Sequence, residues 1–206
     1  MSFHPRKFVD SVLKLHRDAV VRWHAEEPDN PCQDLLAIVC QQHQYNFLLW
    51  HEEDVARSPD VSDARIAMVK RAIDGYNQQR NDWIERIDEG LIDQLFQQSI
   101  MPRRDATLNT ETPGSAIDRL SIMSLRIYHL KEQRARTDVD AAHLQKVKER
   151  LDRCRLQRTD LACSLTELLE DVFAGRKMLK VYRQMKMYND PSLNPYLYGR
   201  GQQQAA

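Results

Sequence analysis

The chain is predicted to fold as an all-α helical bundle, a four-helix core with a further N-terminal helix and an extended C-terminal tail. Three observations predict this. The 6 glycines and 8 prolines among 206 residues cluster at a few breaks, and between the breaks apolar residues recur every three or four positions, the period of a helix with one buried face. No stretch alternates apolar and polar residues as a half-buried strand would. The sequence also matches itself: positions 60–96 shifted by 78 fall on 138–174 with 12 identities over 37 positions.

The elements follow in order. Phe8, Val12, Leu15, Ala19 and Trp23 mark a first helix. A second is expected from Asn30 as N-cap, with Pro31 at the first helical position, to about Arg57. A third spans about 62–96 with a seam at Ile66, Val69, Ile73, Tyr76, Arg80, Trp83 and Ile87. A fourth runs from about Ser115 to Arg136. A fifth runs from about Asp138 past Val172, with a seam at Leu144, Val147, Leu151, Cys154, Arg158, Leu161 and Leu165. Alternating steps of three and four suit antiparallel helices crossing at a shallow angle.

The self-match sets Gln79-Arg80-x-Asp82 on Gln157-Arg158-x-Asp160 and Trp50-His51 on Tyr128-His129. Heptad apolarity alone would not place those polar residues, so the pattern reads as a duplicated helical hairpin. One domain is expected over 1–206: a first hairpin at about 31–96, a linker at 97–114, a second hairpin at about 115–176 and a tail at 177–206. The linker is long for a bundle loop and is expected to pack on the surface or carry function.

Thirty Lys and Arg balance thirty Asp and Glu, and 42% of residues are hydrophobic, which fits a soluble globular protein and argues against a nucleic-acid binder. The longest apolar runs, Leu35 to Cys40 and Phe47 to Trp50, fall far short of the ~20 residues of a membrane span. No apolar stretch follows Met1-Ser2-Phe3-His4-Pro5-Arg6-Lys7, so no signal peptide and a cytoplasmic location are expected. Cys32, Cys40, Cys154 and Cys163 form no Cys-x-x-Cys pair and read as reduced thiols.

Arg80 and Arg158 lie in the apolar seams, and a buried guanidinium needs a carboxylate, carbonyls or an outside anion. Hairpin geometry sets Asp118 opposite Arg158 and Cys40 opposite Arg80, and pseudo-symmetry would let Asp118 bridge both arginines. Such a trio is either a network that fixes register or a positive pocket for a phosphate or carboxylate. Asp118 is alternatively the last member of a Ser115-x-x-Asp118 capping box.

His51 with Asp54, and His129 with Glu132, are His-x-x-carboxylate steps, one per half, and each pair shares a helix face. A metal in the bundle would need further ligands from the other two helices, which offer no inward acid at that level. These four residues are therefore weak metal candidates, and no metal or cofactor is expected. Trp50 and Tyr128 read as core, and Ser121 and Ser124 as small residues at a close crossing. No nucleophile elbow, phosphate-binding loop or His-Glu-x-x-His occurs. The six basic residues between Arg176 and Arg200 meet one acid, Asp190. The last helix is expected to end in this region. Consecutive Asx-Pro turns at 189–195 are expected to carry a tyrosine-rich tail back over the bundle, with residues from Gly201 frayed.

Several motifs carry a resemblance: Asn46-Phe-Leu-Leu-Trp50-His51-Glu52-Glu53-Asp54, Asn77-Gln-Gln-Arg80-Asn81-Asp82, Thr112-Pro113-Gly114-Ser115-Ala-Ile-Asp118-Arg119-Leu-Ser121-Ile and Lys186-Met-Tyr188-Asn189-Asp190-Pro191. Over nearly its whole length the chain resembles an uncharacterised bacterial family, the domain of unknown function 4254. The resemblance implies an all-helical fold of this length and marks Asn46, His51, Asp118 and Arg119 as motif members. It supplies no activity, so no catalytic residue transfers. It also implies an association with glycosyltransferases of cell-surface polysaccharide assembly.

Two functions follow as expectations. The first is a non-enzymatic accessory or interaction protein, whose inward polar residues set register and whose partner is another protein. The alternative is an enzyme or binding protein for an anionic sugar or nucleotide. Arg80, Arg158, Arg119 and Asn46 would hold that ligand, and His51, His129 or Asp118 would act as acid or base. The two diverge on whether the polar groups are sealed and paired or line an open pocket.

Overall fold

The structure is a computed structural model that describes residues 3–183 and 192–193. Five helices form where the apolar period places them: α1 Pro5–Trp23, α2 Asp34–Arg57, α3 Asp63–Gln97, α4 Pro113–Arg134 and α5 Ala141–Phe173. No strand occurs among the described residues, so the fold is an all-α bundle. Ser62 caps α3 by accepting from the Arg65 N–H, and Asp140 caps α5 by accepting from that of His143, each covering a donor the first turn leaves free.

Five boundaries differ from expectation. The second helix starts at Asp34, not Asn30, because Asn30 is occupied otherwise: its amide donates to the Ala37 carbonyl at 2.8 Å and its oxygen accepts from the Cys32 N–H. The fourth starts two residues early, at Pro113, with Thr112 as its cap accepting from Ser115 at 3.2 Å. Ser115 is therefore inside the helix and Asp118 belongs to no capping box. The same helix stops at Arg134, before Arg136. The fifth helix starts at Ala141 behind its Asp140 cap, not at about Asp138, and ends at Phe173, before the basic stretch from Arg176, because Ala174 caps it and Gly175 turns the chain at a φ of +71°. The third seam opens at Val69, since Ile66 is 37% exposed.

The Thr112-Pro113-Gly114 start docks α4 onto α3. The Gly114 N–H donates to Asp88 Oδ1 at 2.7 Å, and a Cβ at Gly114 would lie 2.5 Å from the Ile84 carbonyl oxygen. Only glycine permits that approach. Burial raises the Asp88 pKa to about 6, against the pull of its bonds to Thr112 and Gly114.

α2 packs chiefly on α3 and α4 on α5, the two expected hairpins; α4 also packs on α3, while α1 packs on α2, α4 and α5. Residues equated by the 78-residue shift share packing roles. Val39 and Ile117, Ile87 and Leu165, and Leu91 and Leu169 lie together in the central core. Leu49 with Ile73 and their counterparts Ile127 with Leu151 anchor two separate outer clusters. These equivalences support the reading of a duplicated hairpin.

The N-terminal helix does more than lie alongside. His16 meets His43 with ring centroids 4.4 Å apart, and His24 meets His51 at 5.1 Å, so α1 runs parallel to α2 with a constant offset of 27. His43 meets Ser121, and His51 meets His129, so α4 runs parallel to both with an offset of 78. The three helices stand in register as stacked layers. Val12, Val39 and Ile117 form one, followed by His16, His43 and Ser121, then Val20, Phe47 and Leu125, then His24, His51 and His129.

The linker is held by the chain that follows α5. Thr107 and Lys177 form an isolated parallel bridge, with the Met178 N–H donating to the Thr107 carbonyl at 2.9 Å. Arg183 reaches Glu89 on α3 at 2.5 Å. The expected turns at 189–195 and the frayed end from Gly201 lie outside the described residues, apart from Ser192 and Leu193.

Candidate functional site

Polar side chains concentrate where α2 and α4 face each other. Asp118 Oδ1 accepts from Gln42 Nε2 at 2.6 Å and Asn46 Nδ2 at 2.9 Å. Its other oxygen lies 3.6 Å from Arg80 Nη1, an ion pair too long for a hydrogen bond. Burial pushes the Asp118 pKa up, against the opposing pull of Arg80, Asn46 and Gln42.

One turn further on, Ser121 Oγ lies 2.6 Å from His43 Nδ1 and accepts from Asn46 Nδ2 at 2.8 Å. His43 Nε2 lies 3.1 Å from the His16 carbonyl oxygen. A carbonyl only accepts, so His43 carries its proton on Nε2 and its Nδ1 accepts from the Ser121 hydroxyl. Burial drives the His43 pKa down to about 3, which keeps it in this neutral form. Ser121 and His43 are both 0% exposed, so this pair is sealed against any substrate.

The network reaches solvent at Arg80. A cleft of about 420 Å³ between α2, α3 and α4 is lined by Asn46, Trp50, Asn77, Arg80 and Arg126, with Arg57 among the remaining residues. Arg80 Nε is buried there without a hydrogen-bond partner. Arg57 is tied to Glu53 at 2.7 Å and lies 3.7 Å from Asp54, whereas Arg126 forms no ion pair among the described residues. Glu53 and Asp54 line the cleft as well and offset Arg57, and Asp118 lies behind Arg80, so Arg126 is the cation left without an acid among the described residues.

Arg158 corrects the symmetric picture. In place of Asp118 it faces α1, and burial, then Arg17 of α1 and Arg155 of its own helix, lower its pKa. It lines a separate groove with Arg6 and Asp10. Asp118 therefore pairs with Arg80 alone and does not bridge both arginines; Cys40, expected opposite Arg80, instead points its thiol toward the Asp29 carbonyl. α1, which packs on α2, α4 and α5, has no counterpart in the two-hairpin picture and supplies the residues beside Arg158. Arg119 is also apart, exposed and paired with Glu111 at 3.0 Å.

His51 and His129 come together, as the repeat implies, but neither lines the cleft. Between them and the cleft stands Trp50, stacked on His129 at 4.8 Å with planes 9° apart. His129 Nδ1 lies 2.8 Å from Glu132 Oε2, the expected His-x-x-carboxylate pair, while Asp54 turns to Arg57. The third member of the cluster is His24, the C-cap of α1. One ring nitrogen from each of His24, His51 and His129 lies within 4.8 Å of the others. Nε2 of all three is buried without a hydrogen-bond partner. Burial, then the neighbouring His24 and His129, lower the His51 pKa.

His24 and the fully buried His16 were the residues missed by reading α1 as an added helix. The signal was a second internal match, at 27 residues: Val12 on Val39, His16 on His43, Trp23-His24 on Trp50-His51 and Glu26 on Glu53. The first helix thus carries the pattern of α2.

The model of a family described as "Protein of unknown function (DUF4254)" covers residues 36–181, from the first turn of α2 to beyond the bridge between linker and tail. No curated protein and no solved structure matches the chain. Among the described residues no helix is long and apolar enough to cross a membrane. A match over more than half of the residues is decisive, and the chain belongs to the DUF4254 family.

Proposed function

We propose that the protein binds an anionic small molecule, carrying phosphate or carboxylate, in the cleft between α2, α3 and α4. Arg80 carries the reading. Its Nε is buried with no acceptor, and among the described residues its one carboxylate partner, Asp118, stays 3.6 Å away, too far for a hydrogen bond. An outside oxyanion would complete that guanidinium, whose forked donors suit planar or tetrahedral anions. Arg126 adds a second cation, Asn77 adds donors, and Trp50 adds a flat apolar wall, while Asn46 has both its N–H groups committed to Asp118 and Ser121. The volume of about 420 Å³ lies in the range of small-ligand sites. His51, His129 and Asp118 do not line this cleft, so the reading is of a binding protein, with no acid or base assigned.

The association of the family with glycosyltransferases of cell-surface polysaccharide assembly makes sugar phosphates and sugar nucleotides the first ligands to test, beside inorganic phosphate. A ligand at a hundred times its Kd stabilises by about 2.7 kcal/mol, a rise in Tm of roughly 5–10 °C for a chain of this size. Arg126→Gln should leave the ligand-free Tm in place and remove most of that rise. A panel in which no anion shifts the Tm, or a shift indifferent to Arg126→Gln, would overturn the reading.

A further inference from the structure

We infer that His24, His51 and His129 form a site for one divalent transition-metal ion of the zinc type, held by three imidazoles with a further position left for water or an anion. The inference rests on a different set of side chains from the cleft and is independent of its occupant.

Nε2 of all three histidines is buried with nothing to bond, and one ring nitrogen from each lies within 4.8 Å of the others. Buried polar groups left in this way cost roughly 1–3 kcal/mol each. Two of the rings have their other nitrogen committed. His24 Nδ1 lies 2.7 Å from the Val20 carbonyl oxygen and His129 Nδ1 lies 2.8 Å from Glu132 Oε2. Both partners only accept, so the protons sit on Nδ1 and the Nε2 lone pairs point inward. A proton on the third ring could satisfy one of these lone pairs, not both. A metal ion satisfies all three at once. A carbonyl or carboxylate behind the ring is also how metal-binding imidazoles are oriented and made more basic.

The chemistry selects the metal. Three neutral nitrogens suit zinc, cobalt, nickel or copper, whereas calcium and magnesium require oxygen ligands. Tetrahedral zinc with bonds of 2.0–2.1 Å holds its nitrogens about 3.3 Å apart, so rings now within 4.8 Å need close by at most about 1.5 Å. His24, at the end of α1, has the freedom to do so. Position helps as well. α1, α2 and α4 run parallel, and the three histidines sit at the C-cap of α1 and within the last two turns of α2 and α4. The C-terminal end of α1 lies at the site itself, and its partial negative charge favours a cation there.

The test uses the untagged full-length protein, stripped with a chelator and titrated with Zn²⁺ and then Co²⁺. One zinc per chain should bind with a Kd of about 1 µM or tighter, and Co²⁺ should give the intense visible bands of a tetrahedral site. X-ray absorption of the zinc-loaded, unaltered chain should count three imidazoles, a readout that needs no variant to fold. His24→Gln, His51→Gln and His129→Gln should each weaken binding by roughly 100-fold or more, and Glu132→Gln by about 10–100-fold. His143→Gln, whose buried Nε2 is also unpartnered but lies outside the cluster, should change nothing. Fewer than three imidazoles around the zinc, or no binding at tens of micromolar, would overturn the site, as would affinity indifferent to His24→Gln.

Discussion

Two layers of the three parallel helices begin from the same plan and end differently. At the first level α1 and α2 supply His16 and His43, and α4 supplies Ser121. Eight residues on, each of the three helices supplies a histidine: His24, His51 and His129. Where serine stands, the layer closes on itself. The hydroxyl donates to His43, accepts from Asn46, and the chain continues to Asp118 and Arg80. Where histidine stands, two Nδ1 atoms find acceptors and three buried Nε2 atoms are left without a partner. A hydroxyl can donate and accept at once, and a neutral imidazole nitrogen does one or the other. That difference of one side chain separates a register-setting network from a site that wants a ligand.

The comparison can be broken from several directions. The largest effect should come from Asp118→Ala, which leaves Gln42, Asn46 and the Arg80 guanidinium without their shared acceptor; a loss of about 3 kcal/mol in urea unfolding is expected. Next is a paired substitution across the layers. His43→Leu strips Ser121 of its acceptor and should cost about 2 kcal/mol, whereas His24→Leu in zinc-free protein should fall within about 0.5 kcal/mol of the parent. Equal losses for the two would show that the layers do not differ as described.

The smallest effect is a dependence on pH at His16. Burial, then His43 and Arg158, hold its pKa well below the usual value of 6.5, so the folded chain keeps it neutral while the unfolded chain protonates it. Stability is therefore lost as pH falls below about 6.5, by at most about 1.4 kcal/mol per pH unit for such a group. Neither nitrogen of His16 has a partner, so His16→Leu should be neutral or stabilising at pH 7. It should also reduce the loss between pH 6.5 and 5 by about 1–2 kcal/mol. Asp88, with its pKa raised to about 6, works in the opposite sense over that window, so the parent and variant must be compared at each pH. An unchanged pH profile would count against a neutral buried His16.

Much of the fold was legible because helix periods and caps are local. The seam of α5, that of α3 from Val69 onward and the expected end of α2 at Arg57 all depend on residues within a turn or two. The Arg80–Asp118 contact was half legible: both residues stood out as inward polar groups, but hairpin geometry paired Asp118 with the other arginine. Pairing by distance from a turn fixes the level of a residue along the hairpin but not the face it presents: Asp118 faces α2 and α3, whereas Arg158, on the partner helix of the same hairpin, lies toward α1. His24 was hidden for a related reason. It stands one residue past the end of α1, outside the apolar seam of Phe8, Val12, Leu15, Ala19 and Trp23, and only the 27-residue match to Trp50-His51 reveals it. The requirement for ligands from the remaining bundle helices looked in the wrong place, because the third imidazole comes from the helix that had seemed supplementary.

Equal spacing of the layers also dictates where the first helix can be seated. Slide it along its groove by one turn, about 5.4 Å, toward its own C-terminus, and Val12 would replace His16 beside His43 and Ser121. His16 would be pressed between Phe47 and Leu125, and Val20 would enter the ring of imidazoles. Every tooth would meet the wrong notch. The alternation of aliphatic and polar rungs thus works as a key, admitting the N-terminal segment at a single depth even though oily side chains line the groove along much of its length.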